Sequence, residues 1–383
     1  MPQMIDTITL RYSESQFKIL DYNKFSPNCE NFFNPPYTKL GSRAFIAAYQ
    51  NGTKKDMLAG NYLPQLTLRK TWRTHQPLIY LYVQFSAPKM FFGNNFDELT
   101  NKDLKFVLKK LQMKLLKNMS VGIFWEDLIK GFVTKIHYGK NIVLPDFIIP
   151  SMVLGEIKKV DFNLQNDLME KDYRNSGHSV RFHNNEFELI FYDKKKDLEK
   201  AKQSEKRAVE RDNAIQANIF DVLEPKKPFE VLRIEARLNS IKKIQNELKI
   251  QKSEHTIKNL LSEEKSVKIL TGYWETIMQN YQLLSCQIDD KEKFLASFMV
   301  NNPKARLTNA LSAYAFVEFI KEMGVNRFRN LVEKKHTRRT WYGIKANVNK
   351  YKLDGQMPSY FDSISKTLQD YKPLKLADYQ GLI

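Results

Sequence analysis

Cysteine is nearly absent from this sequence: two in 383 residues, Cys29 and Cys286, far apart and without metal-binding or redox spacing. A cysteine-based metal or redox motif is thereby excluded, and a reducing cytoplasm is the expected location. Long apolar runs are missing as well. No stretch of 18 or more apolar residues is available to span a membrane, and the N-terminus carries no basic-then-apolar leader. Acidic residues are in the minority, 43 Asp and Glu against 61 Lys and Arg, for a net charge of +18 and a pI near 9.5. Such an excess calls for a polyanionic partner, nucleic acid ahead of an anionic membrane surface.

What is present argues for a folded chain. Hydrophobic residues make up 42% and aromatics 12% of the composition, too much for a disordered protein. The length favours two or three domains over one. Met4 to Tyr12 reads as a strand, and Tyr22 to Tyr37 as a loop punctuated by Pro27, Pro35 and Pro36. Leu66 to Trp72 and Leu78 to Phe85 read as paired antiparallel strands, the second alternating Ile79, Leu81, Val83 and Phe85 against Tyr80, Tyr82 and Gln84. Asn101 to Asn118 places Leu104, Val107, Leu108, Leu111 and Leu115 at helical spacing, an amphipathic helix to pack on that sheet. Phe132 to Tyr138 is a further strand, with Val133, Lys135 and His137 on one side by alternation.

Two short strands carry the chemistry. In Glu186–Lys194 the apolar row is Phe187, Leu189 and Phe191, leaving Glu188, Ile190 and Tyr192 opposite, with Lys194 further along that side. In Phe229–Leu238 the core row is Leu232, Ile234, Ala236 and Leu238, opposite Val231, Arg233, Glu235 and Arg237. A tyrosine that cleaves a phosphodiester needs an in-line approach, a positive group for the phosphate oxygens and help for the leaving oxygen. Tyr192 as nucleophile, with Lys194 and a metal, meets that description. A divalent cation, Mg2+ or Mn2+, held by Glu235, His137 and Asp6 would act as the Lewis acid. Asp6 is the weakest of the three, because alternation with Ile8 and Leu10 puts it on the core side. A tyrosine near a strand end also serves as a packing residue, and a glutamate between two arginines as half of a cross-strand ion pair, so the pattern alone leaves both readings open. His178 and His183, five apart, fall on opposite faces of a strand and do not form a metal pair.

Asp193 to Arg211 is a dense run of Lys, Glu and Arg with the character of a solvated connector. Beyond Leu238 the pattern is helical to about Asn301, and three helices follow, roughly Ala305 to Met323, Asn326 to Glu333 and Thr337 to Tyr351, the first two separated by Gly324. From Pro303 onward there are 15 Lys and Arg against 7 Asp and Glu. Lys334, Lys335, Arg338, Arg339, Trp341 and Lys345 fit a helix whose cations meet phosphates and whose aromatics meet bases or sugars, in helix-turn-helix order. The expected fold class is α+β: an antiparallel-sheet domain with packed helices over residues 1–240, with a charged insert at about 193–222, then a helical connector at 241–301 and a basic helical DNA-binding module at 302–383.

At these segments the chain resembles the replication initiators of filamentous phages, the gene II and gene X type, and their plasmid and integrated-element relatives. The resemblance covers most of residues 1–260. It rests on Met4-Ile5-Asp6-Thr7-Ile8-Thr9-Leu10-Arg11, on Phe85-Ser86-Ala87-Pro88-Lys89 followed by Phe92-Gly93-Asn94-Asn95, on Leu189 to Lys194, and on Leu232-Arg233-Ile234-Glu235-Ala236-Arg237. It implies a rolling-circle initiator that nicks one origin strand, leaves a 3′-hydroxyl for the host polymerase and later rejoins the displaced circle, with a host helicase as a further partner. Similar plasmid initiators carry an aromatic-Tyr-x-Lys segment and then an Arg-x-Glu strand, the arrangement of Tyr192, Lys194, Arg233 and Glu235, which implies a charge-steadying role for Arg233 beside Lys194. Family members often have Asp at the place of His137, and the paired His-hydrophobic-His signature of the better-known nickase superfamily is absent. Tyr173 and Tyr138 are candidate second tyrosines. The rival expectations are a non-enzymatic origin-binding protein, and a relaxase or transposase with the same chemistry.

Overall fold

The computed structural model describes residues 2–3, 5–33, 45–53, 55–56, 59–73, 76–100, 102–160, 170–174, 177–197, 230–285, 290–323, 325–348, 350–351, 353, 357–375 and 378. Its centre is a nine-stranded sheet in which every neighbouring pair is antiparallel. In chain order the strands are β1 (Ile5–Ser13), β2 (Phe45–Gln50), β3 (Gln65–Arg73), β4 (Gln76–Ser86), β5 (Phe132–Val143), β6 (Glu170–Arg174), β7 (Ser179–His183), β8 (Phe187–Asp193) and β9 (Val231–Leu238). Across the sheet they run β6-β7-β8-β9-β5-β1-β4-β3-β2. The two strands singled out in the sequence, β8 and β9, are direct neighbours in the sheet.

Alternation decides which face is covered. Phe187, Leu189 and Phe191 of β8, and Leu232, Ile234, Ala236 and Leu238 of β9, are at most 1% exposed. Each such apolar side chain contributes about 1.5–3 kcal/mol on burial, so this face binds the helices. Among the described residues the helices of six or more residues are α1 (Ala87–Phe92), α2 (Leu104–Lys117), α3 (Pro150–Lys159), α4 (Ile241–Leu248), α5 (Glu263–Ser285), α6 (Lys291–Asn301), α7 (Leu307–Met323), α8 (Val325–Lys335), α9 (Arg338–Val348) and α10 (Ser359–Asp370). Helix α2 buries Val107, Leu108, Leu111 and Leu115, the stripe its spacing predicts. Trp274 of α5 packs its ring 6.3 Å from Phe191 of the sheet. The fold is α+β, as the pattern implied. None of the described helices is long and apolar enough to cross a membrane.

The helices divide differently from the sequence expectation. Ile244 and Leu248 of α4, and Ile269, Leu270, Trp274 and Ile277 of α5, join the core of the sheet rather than forming a connector. A second core gathers Phe294 and Phe298 of α6, Ala310, Ala313, Phe316 and Val317 of α7, and Trp341 and Val348 of α9. Helix α10, expected in the basic module, returns to the first core. Its stripe Phe361, Ile364 and Leu368 is fully buried there, and Phe361 meets the rings of Trp274 at 5.1 Å and Tyr281 at 5.0 Å. Most of the charged insert falls within residues 198–229, which lie outside the described residues, as do Cys286 and Gly324.

Candidate functional site

On the open face of the sheet, register places three polar rows side by side. Ser179, Tyr192, Arg233 and Asn141 lie directly across from one another, then Arg181, Ile190, Glu235 and Gly139, then His183, Glu188, Arg237 and His137. Directly opposed residues have Cβ atoms about 5 Å apart, so these side chains share one surface.

Arg233 is the hub. It is 2% exposed. Its Nη1 donates to Asn141 Oδ1 at 3.0 Å and to the Asn95 carbonyl at 3.4 Å, and Nη2 lies 3.3 Å from Asp6 Oδ1. Arg233 Nε is 4.0 Å from Glu235 Oε2. The guanidinium crosses β5 at Gly139, where a Cβ would sit 2.8 Å from Nη2, so only glycine leaves room for it. Glu235, 1% exposed, accepts from Arg237 Nε at 2.8 Å and faces His137 Nδ1 at 3.7 Å. His137 Nε2 contacts Asn239 Oδ1 at 3.2 Å. The ladder continues outward through Glu188, which binds Arg237 at 3.3 Å and Arg181 at 2.8 Å.

Asp6 joins this group against the expectation from alternation. The β1–β5 pairing shifts register between Ile5 and Ile8, and both of those residues stay buried although they are three apart. A bulge breaks the two-residue period and turns Asp6 out of the core row toward Arg233. A second irregularity at Thr9/Leu10 leaves Val133 fully buried, so it does not share the side of Lys135 and His137 as alternation predicted.

The strand β8 ends at Asp193, and Lys194 opens a helical turn. Lys194 still belongs to the site: it is fully buried, its Nζ lies 5.8 Å from the Tyr192 ring centroid, and it donates to Asn95 Oδ1 at 2.7 Å. Asn95 is held there by local chemistry that the segment Phe85 to Asn95 encodes. Ser86 caps α1 by accepting from Lys89 N, and Gly93 ends the helix in the left-handed region at φ 78°. Asn94 Oδ1 then accepts from the amides of Phe96 and Asp97, a tight turn that presents Asn95.

The charges are strongly coupled. Burial pushes the Tyr192 phenol well above its ordinary value, with Glu235 and Asp6 adding to the effect and Arg233 opposing it. Burial, reinforced by Arg233, lowers the Lys194 ammonium to about 7. Glu235 is driven up by burial, but Arg237, Arg233 and His137 outweigh that and hold it at about 2. Burial and Arg237 keep His137 below its usual range despite Glu235.

The donor types fit a hard divalent ion. Two carboxylates flank one guanidinium, an imidazole faces the second of them, and Asp6 Oδ1 is buried with no hydrogen bond. Asp6 and Glu235 flank Arg233, and among the described residues no three His, Cys, Asp or Glu side chains already converge on one point.

The other sequence candidates divide. Tyr138 is fully buried on the core face and donates to the Leu260 carbonyl at 3.0 Å, which removes it as a second nucleophile. The side chain of Tyr173 lies outside those described. His178 faces Asp193 at 3.7 Å, apart from the Arg233 hub. In the basic helices Lys334, Lys335 and Arg339 are exposed, and the Arg338 side chain is not described. Trp341 is a correction: it is fully buried, its ring 5.6 Å from Phe316 and 5.5 Å from Phe328, and cannot meet a base. Lys345, four residues on along the same helical stripe, is 7% exposed and likewise no surface cation.

Sequence reasoning passed over Gly139, Asn141, Asn95 and Asn239. It ended this strand, β5, at Tyr138. The strand runs on to Val143, with Lys140 paired to buried Glu98 on the far face. The sequence did hold a signal for Asn95: the Gly93-Asn94 turn that aims it. Comparison of the chain with family models, curated proteins and solved structures finds no match.

Proposed function

We propose that this chain is a DNA strand transferase of the rolling-circle initiator type, nicking one strand through Tyr192 and later rejoining it. The observation that carries this reading is the row Tyr192–Arg233–Asn141, with Lys194 over the tyrosine ring, Asp6 and Glu235 flanking the guanidinium and His137 facing Glu235. A buried phenol held above its normal range needs a base to become a nucleophile. Lys194, at about 7, is half neutral at physiological pH and takes that role. As the Tyr192 oxygen bonds to phosphorus its proton passes to the Lys194 amine, directly or through water. The bond to the 3′ oxygen breaks, its electron pair leaves on that oxygen, and water supplies the proton that makes the free 3′-hydroxyl. The product is a 5′-phosphotyrosyl link, and rejoining is the reverse reaction. Arg233, fixed by Asn141 and Asn95, is set to offset phosphate charge. Mg2+ or Mn2+ held by Asp6, Glu235 and His137 would polarise the scissile phosphate as a Lewis acid. The basic α8–α9 region, through Lys334, Lys335 and Arg339, would hold duplex origin DNA.

The test is to mix the protein and Mg2+ with a supercoiled circle carrying its origin. Nicked circles bearing covalent protein are expected, with the nucleotide-bearing peptide mapping by mass spectrometry to Tyr192. Tyr192→Phe should form none. An adduct that persists in that variant overturns the assignment. The Arg181–Glu188–Arg237–Glu235 ladder is the one observation that favours a non-enzymatic origin-binding protein, since it is complete as a structural ion-pair chain; that reading predicts retarded DNA without cleavage.

A further inference from the structure

We propose that the open face of β2, β3, β4 and β1 is a stacking platform for single-stranded DNA, leading toward the Tyr192 site. This rests on the strand-transfer reading above and names what the rest of that face is for. Register sets Tyr49, Thr67, Tyr82 and Arg11 in one row across four strands, and Arg69 beside Tyr80 in the next. The Arg69 guanidinium lies 4.0 Å from the Phe45 ring and 5.2 Å from that of Tyr82, and Arg11 lies 5.0 Å from the Tyr80 ring. These side chains point away from the helix-covered core. Phe45 is 38% exposed and Tyr49 49%.

Charge complementarity selects the occupant. Phe45–Gln50, Gln65–Arg73 and Gln76–Ser86 contain no Asp or Glu, in a chain with 43 of them, and the one acid of Ile5–Ser13 is Asp6 at the site. The surface therefore offers cations and aromatic faces without acids to repel a phosphate backbone. Rings on a flat sheet bind bases through their faces, and those faces are free in a single strand and hidden in a duplex. Tyr80 and Tyr82, two residues apart, stand about 7 Å from one another, a spacing that successive bases of an extended strand can match. The face is continuous with the site: Thr9 of β1 lies opposite exposed Lys135 of β5, two residues before His137. From β4 to β8, which bears Tyr192, is four strand spacings, about 19 Å, so a few nucleotides bridge platform and scissile phosphate. A purely structural role for the arginine–ring contacts would stiffen the sheet and leave DNA binding unchanged.

The experiment uses the full chain carrying Tyr192→Phe, to separate binding from cleavage, and measures the anisotropy of labelled dT20 and of a duplex hairpin over a range of salt. Tyr49→Ala, at the exposed edge, and Tyr82→Leu should each weaken dT20 binding roughly five- to 150-fold. Arg69→Gln should lower the salt slope for dT20 by about 0.7. Hairpin binding should stay within about twofold, since α8 and α9 supply it. Unchanged dT20 binding in Tyr49→Ala and in folded Tyr82→Leu overturns the platform, as does an equal loss for hairpin and dT20. The wild-type adduct assay is read separately. An adduct at Tyr192 with face variants that bind dT20 normally sinks the platform alone. Platform-dependent dT20 binding with no adduct sinks the strand-transfer reading alone.

Discussion

Lys194 sets the pH at which the proposed chemistry runs. Burial beside Arg233 brings its ammonium to about 7, whereas an unfolded lysine titrates near 10.5. Between those values the unfolded chain holds the extra proton, so stability rises with pH across that window, and above about 7 the folded amine is free to accept the Tyr192 proton. Single-turnover cleavage should climb through pH 7 and level off. Lys194→Arg, charged throughout, should lose that limb, and an unaltered profile would assign the base elsewhere. Gly139 is the second decisive residue. Gly139→Ala places a methyl against the Arg233 guanidinium, which must leave Asn141 and Asp6 to make room. We expect a cost of about 1–3 kcal/mol and at least a tenfold slower nicking rate, read by denaturant unfolding and adduct formation. Full activity with unchanged unfolding would mean that Arg233 works from another position. At this scale the sequence revealed that Tyr192, Arg233 and Glu235 share one face, because strict alternation within β8 and β9 governs where they point. It hid Asn141, whose position depends on a strand continuation more than 90 residues from its partner, and it marked Asn95 only through the Gly93-Asn94 turn.

Elements were legible where one period held from end to end. Helix α2 and strands β4, β8 and β9 fold as their apolar spacing demands, because in each the apolar stripe or row falls on the core side, although the polar row of β9 is buried as well. The failures come from broken periods and from stripes read for the wrong purpose. In β1 the register shift between Ile5 and Ile8 moves Asp6 to the face that alternation denied it. In α9 the positions 341, 345 and 348 fall on one side of the helix, and the large ring at the first of them draws that side into the second core. Sequence composition marked the helix as basic, but only its geometry says which cations are left outside. Lys334, Lys335 and Arg339 remain outside, while Trp341 packs between helices.

At the scale of the whole molecule, the chain closes on itself. After the second core has formed from α6 to α9, α10 comes back to α5 and the sheet, and the segment behind it reaches the loop that carries Asn95. Buried Glu98 joins the two: it binds Lys140 and the Asn141 amide on β5, and accepts from Leu374 N at 2.9 Å, while its own carbonyl accepts from Lys375 at 2.6 Å. A chain ending at Gln356 should therefore lose more than the basic tail. Removing Phe361, Ile364 and Leu368 strips three buried side chains from the sheet core, a loss of more than about 5 kcal/mol, comparable to a whole domain's margin. Urea unfolding followed by tryptophan fluorescence checks this, and a truncated chain that unfolds at the full-length midpoint would show the strap to be dispensable. No local pattern could have announced this return, because the contact joins residues 98 and 374 and depends on the complete topology. The Glu98 junction also fixes a moment in the life of the protein. At 5–20 residues per second the ribosome needs about 10–35 s to go from Tyr192 to Lys375, the last residue that braces the Asn95 loop. Until then a nascent chain carries Tyr192 without its finished surroundings, so the proposed strand transfer should begin only after that delay.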